Sequence, residues 1–357
     1  MVNIQGRQST HKKCKEYSTI QGSVLSGILF LIYIMDYPLL FHNKEHTPME
    51  NHKCNQPTSA TFVDDINETM KTSKNITLQQ TMTENLKIIT EYMEANKLSL
   101  NQPKTKIFAI SKDKETKESL RIEAEEPVTN DENINVLGIT VQSDLKWNTQ
   151  ILTGEKSIAR QLTNRLNALK RLVNYSDKNF SIQLANAIFM SKLTYGIEAW
   201  GFAPQYLIQR LQVIQNKAAR IVLGNESLKY NNTKLLREMK WLPVEKLIIL
   251  QTSKLCHKII QTKNPKYLHE RLTTEPNKNT RTKIGNKLGT KPDNIGKTTQ
   301  TANTYCSKIY KIYNDLPSVI TSIKEKETFK KYLKRYLHNP VDLPPSSFQT
   351  AGLDPGL

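Results

Sequence analysis

The chain has 357 residues, which is enough for two or three domains of ordinary size. Hydrophobic residues make up 38% of the chain and the mean hydropathy is -0.54, so the composition allows a buried core beneath a polar surface. The longest apolar run, 24–34, is too short to cross a bilayer, which takes about 20 residues. This excludes a membrane-spanning protein built on that segment.

The formal net charge is +18, and it is unevenly distributed. Residues 251–340 hold 19 Lys and Arg against 6 Asp and Glu. An excess of this kind favours a polyanionic partner, most simply nucleic acid, because phosphate contacts release counterions. A membrane surface is the competing interpretation, but it needs a basic amphipathic helix or a lipid anchor, and the sequence shows neither.

The cysteines and the N-terminus bear on the compartment. No secretory signal pattern is visible, and the four cysteines are too widely spaced to form a disulfide framework. We therefore expect an intracellular protein of the nucleus or cytoplasm that is not secreted, with no membrane partner. The oligomeric state is not readable from these features.

The first predicted elements surround a loop-rich segment. From Gln21 a turn leads into an apolar segment that we predict to be a helix, ended by Pro38. Residues 41–59 are typical of a loop. Two short strands are predicted at 60–63 and 66–70, on either side of two acidic residues.

Helical and extended patterns alternate up to Trp147. Apolar residues recur at steps of three or four within 78–96, which predicts an amphipathic helix. Residues 106–110 and 134–141 are predicted to be strands, with a charged hairpin or loop between them.

Beyond Trp147 the periodicity is helical. One apolar stripe runs through 158–173 and another through 207–221, and a further helix is predicted within 239–260, beginning near Pro243. A basic linker, two helices at 303–314 and 326–337, and a Pro-rich disordered tail are expected to follow.

The tetrapeptide from Phe62 to Asp65 carries the most chemistry. Asp64 and Asp65 lie between extended segments, where the tight turn of a hairpin would project both carboxylates outward. Polymerases need such an arrangement, because Mg²⁺ takes oxygen ligands and two metal ions clamp the attacking and leaving oxygens. An ordinary Asp-rich turn is the alternative, since Asp favours turns for local reasons.

Residues before this turn suggest a family. The segment QGSVLS at 21–26, followed by ILF at 28–30 and YIMD at 33–36, resembles motif B of non-LTR retrotransposon (LINE, jockey-like) reverse transcriptases. Gly22 would let the backbone approach a nucleotide or template closely. The alternative is a glycine turn before a core helix. The family's acidic hairpin, motif C, follows motif B by a few tens of residues, as Asp64 follows Gln21 here.

Later segments resemble the same family in the same order. ANKLSLN at 95–101 with KTK at 104–106 resembles motif D, and VLGI at 136–139 with LKW at 145–147 resembles motif E, the primer grip. The family's helical region beyond the polymerase core is similar to YG at 195–196, WG at 200–201 and QNKAARI at 215–221. The family's far C-terminal segment is similar to NDLP at 314–317 and FK at 329–330.

The resemblance implies roles for the matching positions. Asp64 and Asp65 would be catalytic and would ligate the metal, Mg²⁺ or Mn²⁺. The residues that would bind nucleotide and template are Gln21, Gly22, Ser23, Phe62 and Lys104, although Lys104 is equally well explained as a solvated loop lysine. Leu137 and Gly138 would support the primer end. The partners implied are an RNA template, a DNA primer or target, and deoxynucleoside triphosphates.

The resemblance also implies the fold, α+β, with a truncated palm bearing a small antiparallel sheet and then an all-helical thumb and C-terminal region. The expected segments are a frayed basic N-terminus (1–19), a partial palm (20–147), a helical thumb or connection region (148–262), a basic linker (263–302), a C-terminal helical segment (303–338) and a disordered tail (339–357).

Parts of the family pattern are missing. The motif A carboxylate and the fingers, which precede motif B in such polymerases, have no counterpart in residues 1–20, and no endonuclease domain is recognisable. A two-metal site that lacks one carboxylate source would bind metal weakly and lose orders of magnitude in rate. We therefore expect RNA-directed DNA polymerase ancestry with little or no activity as written.

Three other interpretations remain open. A loop contains four nitrogen and sulfur ligands suited to structural zinc, at His42, His46, His52 and Cys54, although a solvated loop explains them as well. The helical region and the basic C-terminal segment could instead form a noncatalytic nucleic-acid-binding protein, or the chain could be a translated pseudogene fragment without function.

Overall fold

The computed structural model describes residues 3–4, 7–8, 24–41, 58–70, 75–110, 120–122, 128–273 and 305–341. The chain divides into two compact units. The first comprises residues 1–134 and 143–145, and the second comprises residues 135–142 and 146–357. Helices and small antiparallel sheets occur together, which confirms the α+β class predicted from sequence.

The strands are short and form two-stranded sheets. Within its described residues, the first unit contains three antiparallel pairs: β1 (Asn3–Ile4) with β2 (Arg7–Gln8), β3 (Thr58–Phe62) with β4 (Asp65–Thr69), and β5 (Arg121–Ile122) with β6 (Val128–Thr129). A fourth pair, β7 (Asn133–Val136) with β8 (Ile139–Gln142), lies where the chain passes from the first unit to the second.

The described part of the first unit also contains two helices and two 3₁₀ turns. These are α1 (Ser26–Tyr33), a 3₁₀ turn (Tyr37–Phe41), α2 (Asn75–Ala95) and a second 3₁₀ turn (Gln102–Lys104). Apolar residues of α2 meet those of the first 3₁₀ turn in a small core, with these buried members: Ile34, Tyr37, Phe41, Ile89, Tyr92 and Met93. The amphipathic helix predicted within 78–96 is confirmed.

The helix that precedes this turn differs from the prediction. It ends at Tyr33 and not at Pro38, and Pro38 lies inside the 3₁₀ turn. Proline is compatible with this position because the fixed φ of its ring suits the first turn of a helical segment. The apolar side of α1 is largely exposed, with Ile28, Leu29 and Ile32 each more than half accessible.

The second unit is helical. Its helices are α3 (Ile158–Leu172), α4 (Lys178–Ala185), α5 (Ser191–Thr194), α6 (Ile197–Trp200), α7 (Gln205–Leu223), α8 (Asn232–Glu238), α9 (Val244–Thr262), α10 (Lys266–Thr273), α11 (Tyr305–Asn314), α12 (Ser318–Thr321) and α13 (Lys326–His338). Two π-helical turns, Thr149–Thr153 and Asn186–Met190, precede α3 and join α4 to α5.

The predicted apolar stripes form the core of this unit. Ile158, Leu162, Leu166 and Leu169 are buried along α3, as the spacing predicts. The helix predicted within 239–260 begins after Pro243, also as predicted. Side chains cap helix N-termini at Asp177 and Asn231, each of which accepts a hydrogen bond from a backbone N–H of the first turn.

Two of the strand predictions are wrong. Within the described part of the chain, residues 106–110 form only an isolated parallel bridge, between Ile107 and Asn130. Residues 134–141 are not one strand, because a turn at Leu137 and Gly138 divides them into β7 and β8. Most of the predicted basic linker and of the tail lies outside the described residues, and α10 occupies the linker's first part.

None of the helices within the described ranges is long and apolar enough to span a membrane.

Candidate active site

The acidic pair lies at the tip of the β3–β4 hairpin. Phe62 pairs with Asp65, so Val63 and Asp64 form a two-residue loop. Val63 has a φ of 54°, while Asp64 is on the usual negative side. A positive φ at the first loop residue is typical of the type II′ hairpin turn, in which glycine is preferred. A β-branched residue there is strained, and strain of this kind concentrates at functional sites.

This turn exposes both carboxylates. Asp64 and Asp65 are exposed, and so is Phe62, which is 58% accessible. Residues that pair across an antiparallel hairpin place their side chains on the same face. The Phe62 ring and the Asp65 carboxylate therefore share one face of the hairpin.

The base of the hairpin is fixed by a buried tyrosine. Tyr37 is fully buried, and its hydroxyl donates a 2.9 Å hydrogen bond to Oε1 of Glu68 on β4. Burial raises the pKa of Glu68, while hydrogen bonds from Ser59 and Tyr37 lower it. The Tyr37 ring packs edge-on against Tyr92 of α2, at a centroid distance of 5.5 Å. The hairpin is thus tied to the chain that follows α1 and to α2.

The two residues predicted to support the primer form a second hairpin tip. Leu137 and Gly138 connect β7 to β8, with φ values of 50° and 78°. Two consecutive positive φ values are typical of a type I′ turn, whose twist matches that of the flanking strands. The backbone N–H of Gly138 donates to Oδ1 of Asn135 at 2.9 Å, which closes the turn locally.

A tyrosine of the helical unit holds this tip. The Tyr195 hydroxyl donates a 2.5 Å hydrogen bond to the carbonyl oxygen of Leu137. A Cβ added at Gly138 would lie 3.7 Å from Cε1 of Tyr195, so the ring lies directly against the turn. Next to it, a Cβ at Gly196 would lie only 2.5 Å from Cδ1 of Ile139. The YG pair at 195–196 therefore positions the turn, a role that the motif match alone did not reveal.

Of the remaining predicted site residues, Lys104 lies in the described part of the chain. Lys104 ends a 3₁₀ turn of the first unit and is exposed, and its contact with a triphosphate stays a prediction. Gln21, Gly22 and Ser23 lie outside the described residues, so their expected position facing the acidic hairpin also stays a prediction. The zinc alternative at His42, His46, His52 and Cys54 falls outside them as well.

Among the described residues, no group of three or more His, Cys, Asp or Glu side chains is arranged to hold a metal ion. Asp64 and Asp65 alone supply carboxylate oxygens at the hairpin tip, and such oxygens are the ligands that Mg²⁺ prefers.

One relative is informative. The chain is 24% identical over 220 residues to the "Probable RNA-directed DNA polymerase from transposon X-element" of Drosophila melanogaster. The match covers 62% of this chain and 23% of that relative, so the chain spans about a quarter of the relative's length. No family profile matches the chain, and no solved structure matches it.

Proposed function

We propose that this chain is the C-terminal part of a reverse transcriptase of a non-LTR retrotransposon, an RNA-directed DNA polymerase. The observation that carries the proposal is the hairpin whose tip exposes Asp64 and Asp65, with Phe62 on the same face as Asp65. The ordered motifs of the sequence and the similarity to the X-element polymerase point in the same direction.

The proposed reaction adds a deoxynucleotide to a primer on an RNA template. The primer 3′-hydroxyl attacks the α-phosphorus of the triphosphate, and pyrophosphate leaves. Asp64 and Asp65 would hold Mg²⁺, which would neutralise charge on the attacking and leaving oxygens. Phe62 would form one wall of the nucleotide pocket. Gln21, Gly22 and Ser23 would contact nucleotide and template, and Lys104 would lie near the triphosphate.

The β7–β8 turn supports a further part of the proposal. A primer grip must hold the 3′ end rigidly, because small displacements of a reacting atom cost large factors in rate. The turn at Leu137 and Gly138 is held by Asn135 from within the hairpin and by Tyr195 from the helical unit. Two independent hydrogen bonds therefore fix the two residues proposed to support the primer.

Metal binding and primer extension test the proposal together. Mn²⁺ binding, followed by its paramagnetic resonance spectrum, should be weakened in Asp64→Asn and abolished when Asp65→Asn is added. Asp177→Asn is the matched control, since Asp177 is an exposed helix cap that asparagine replaces well. Equal Mn²⁺ binding in the wild type and in the double variant would remove the metal site from the proposal.

Primer extension on an RNA template then measures activity. The expectation that the chain alone synthesises little DNA stays a prediction. Any synthesis should be lost in Asp64→Asn and retained in Asp177→Asn. Robust synthesis that depends on Asp64 would support the polymerase and contradict the expected inactivity.

A noncatalytic nucleic-acid-binding protein is the second candidate, favoured by the 19 Lys and Arg against 6 Asp and Glu in residues 251–340. This candidate predicts salt-sensitive RNA or DNA binding that survives both aspartate substitutions, with no nucleotide incorporation.

A further inference from the structure

The last helix of the chain carries a line of basic side chains. Positions four residues apart lie above one another on one face of a helix. Along α13 the residues at this spacing are Lys326, Lys330, Lys334 and His338. The apolar side of the same helix is buried in the core of the second unit, through Phe329, Leu333 and Leu337.

Two of these lysines line a cavity of about 410 Å³, named here the lysine cavity. Its cationic lining residues are Lys240, Lys254, Lys330 and Lys334, and no acidic residue is among the described residues that line it. Lys330 forms an ion pair with Glu327 at 3.0 Å. Lys240, Lys254 and Lys334 form no ion pair within the part of the chain that the structure describes.

The charges in this cavity act on one another. Lys254 is half-buried on α9, and its Nζ donates to Oε1 of Gln251 at 2.7 Å. Its pKa is lowered, first by burial and then by the charge of Lys330. Both effects disfavour the protonated lysine and outweigh the nearby negative charges of Glu198 and Glu327, so an anion bound in the cavity would further stabilise the charged form of Lys254.

A second cavity, of about 320 Å³, adjoins the first, since Trp241 and Leu242 line both. This histidine cavity is lined by Arg237, Lys246 and His338. Its acidic lining residue, Glu245, accepts a hydrogen bond from Gln205.

Cationic charge also converges on the histidine cavity. The pKa of His338 is lowered by burial and then by the charges of Lys334, Lys246 and Arg237. Lys334 lines the lysine cavity, so its influence on His338 indicates that the cations of the two cavities are electrostatically coupled.

The spacing of the cations suits a phosphodiester strand. Lys330 and His338 are eight residues apart on one helix face, which corresponds to a rise of about 12 Å. Consecutive phosphates of a nucleic-acid strand lie closer together than this. The basic line of α13 can therefore run beside more than one consecutive phosphate.

A membrane surface suits this site poorly. A helix that binds a membrane inserts an exposed apolar face beside its basic face. The apolar face of α13 is already occupied, because Phe329, Leu333 and Leu337 are buried. The basic groups also line concave cavities, which match a thread of phosphates better than a flat array of headgroups.

We propose that the lysine cavity and the histidine cavity form one continuous site for consecutive phosphates of a nucleic-acid strand, independent of base sequence. That the ligand is nucleic acid rests on the proposed function, whereas the phosphate site itself rests on the two cavities. Lys240, Lys254 and Lys334 bind phosphates on one side of Trp241, and Arg237, Lys246 and His338 bind those on the other.

The full chain with Lys240→Gln, Lys254→Gln and Lys334→Gln tests the site. Binding of a labelled single-stranded RNA is measured by fluorescence anisotropy over a series of KCl concentrations. Each lost phosphate contact lowers the slope of log affinity against log salt by about 0.7, so the triple variant should lose about 2. The control triple, Lys170→Gln, Lys217→Gln and Lys258→Gln, removes equal charge from exposed positions that line neither cavity. Its slope should change much less.

Equal loss of slope in the two triples would overturn the site and leave a diffuse basic surface. If the first triple does not keep its circular dichroism spectrum, Lys334→Gln with Arg237→Gln replaces it, since both positions are exposed. The double variant should lower the slope by about 1.4. A loss no larger than that caused by replacing two of the control lysines would overturn the site.

Inorganic phosphate separates this site from the proposed function. The pKa of His338, followed by its ring-proton resonances and assigned with His338→Gln, should rise when phosphate binds. A rise without any RNA or DNA binding would support the phosphate site and contradict the nucleic-acid function. An unchanged His338 pKa would overturn the site. The wild type is also tested for binding to phosphatidylserine vesicles. If the first triple abolishes vesicle binding but leaves RNA binding intact, nucleic acid is not the ligand of this site.

Discussion

The hydroxyl of Tyr195 donates a 2.5 Å hydrogen bond to the carbonyl oxygen of Leu137, 58 residues earlier in the chain. The acceptor lies at the tip of the β7–β8 turn, and the donor lies just after α5 of the helical unit. The position of the turn therefore depends on Tyr195 as well as on the hydrogen bonds within the hairpin. This bond gives the YG pair at 195–196 a definite mechanical role.

Tyr195→Phe should loosen the turn without unfolding the unit. A hydrogen bond of this kind contributes about 0.5–1.5 kcal/mol, and Tyr195 is half-exposed. Amide hydrogen exchange of Leu137 and Gly138 should accelerate, while exchange in α3 and α7 stays unchanged. Tyr175→Phe is the control, because that side chain is 91% accessible. Equal exchange at the turn in both variants would show that the hydroxyl does not hold it.

Gly196→Ala should destabilise the second unit. Gly196 has a φ of 61°, and left-handed backbone costs a non-glycine residue about 1–2 kcal/mol. The new Cβ would also meet Cδ1 of Ile139 at 2.5 Å, and overpacking of this kind costs about 1–3 kcal/mol. Urea unfolding, followed by circular dichroism, measures the sum.

Ile139→Val removes the methyl group that the new Cβ would meet, so it should recover part of this loss in the double variant. A double-mutant cycle isolates the clash from the backbone strain. Strictly additive effects of the two substitutions would contradict the close contact.

Tyr37→Phe should weaken the base of the acidic hairpin. It removes the donor to the half-buried Glu68 carboxylate, and leaving such a group short of a partner costs about 1–3 kcal/mol. Hydrogen exchange in β3 and β4 should therefore increase. Tyr33→Phe also loses a hydrogen bond, to the Asn96 carbonyl, but from an exposed side chain, so it should affect the hairpin less. A larger effect from Tyr33→Phe would contradict the anchoring role of Tyr37.

The helical unit should lose stability below neutral pH. His257 is buried, its Nε2 lies 2.8 Å from the Ile323 carbonyl, and its ring stacks on Phe329 at a centroid distance of 4.0 Å. Burial lowers its pKa, so the unfolded chain binds the proton more tightly than the folded chain. Its contribution is full above the unfolded pKa, near 6.5, and is lost as the pH falls towards the folded value.

Urea unfolding at pH 7.5 and at pH 5.5 checks this expectation. His257→Asn should be less stable than the wild type at pH 7.5 but should show a smaller further loss at pH 5.5. Glu325 does not confuse the comparison, because hydrogen bonds from Thr328 and from backbone N–H groups lower its pKa below its ordinary range. An unchanged pH dependence in His257→Asn would assign the acid sensitivity to other groups.

Sequence periodicity located the helices well, because their stabilising contacts repeat at local intervals. The stripe from Ile158 to Leu169 and the start at Pro243 were both readable in this way. Extended segments were less readable. Among the described residues, 106–110 pair with another segment only through the bridge between Ile107 and Asn130, and such pairing partners are set by distant parts of the chain.

The acidic hairpin was readable for a different reason. Two adjacent aspartates between short extended runs predicted a turn. The pairing of Phe62 with Asp65 confirms a turn one residue earlier, at Val63 and Asp64, with Asp65 as the first residue of β4. The turn at Leu137 and Gly138 was found as a motif but was placed inside a strand, because a leucine with positive φ gives no signal in the sequence.

The sequence by itself determined the helical periodicity, the acidic turn and the excess of positive charge, since each depends on neighbouring residues. Only the tertiary structure decided that Tyr195 holds the turn at Leu137 and that Lys240 and Lys334 line one cavity. Those partners lie 58 and 94 residues apart, and what brings them together is the burial of apolar helix faces in a shared core.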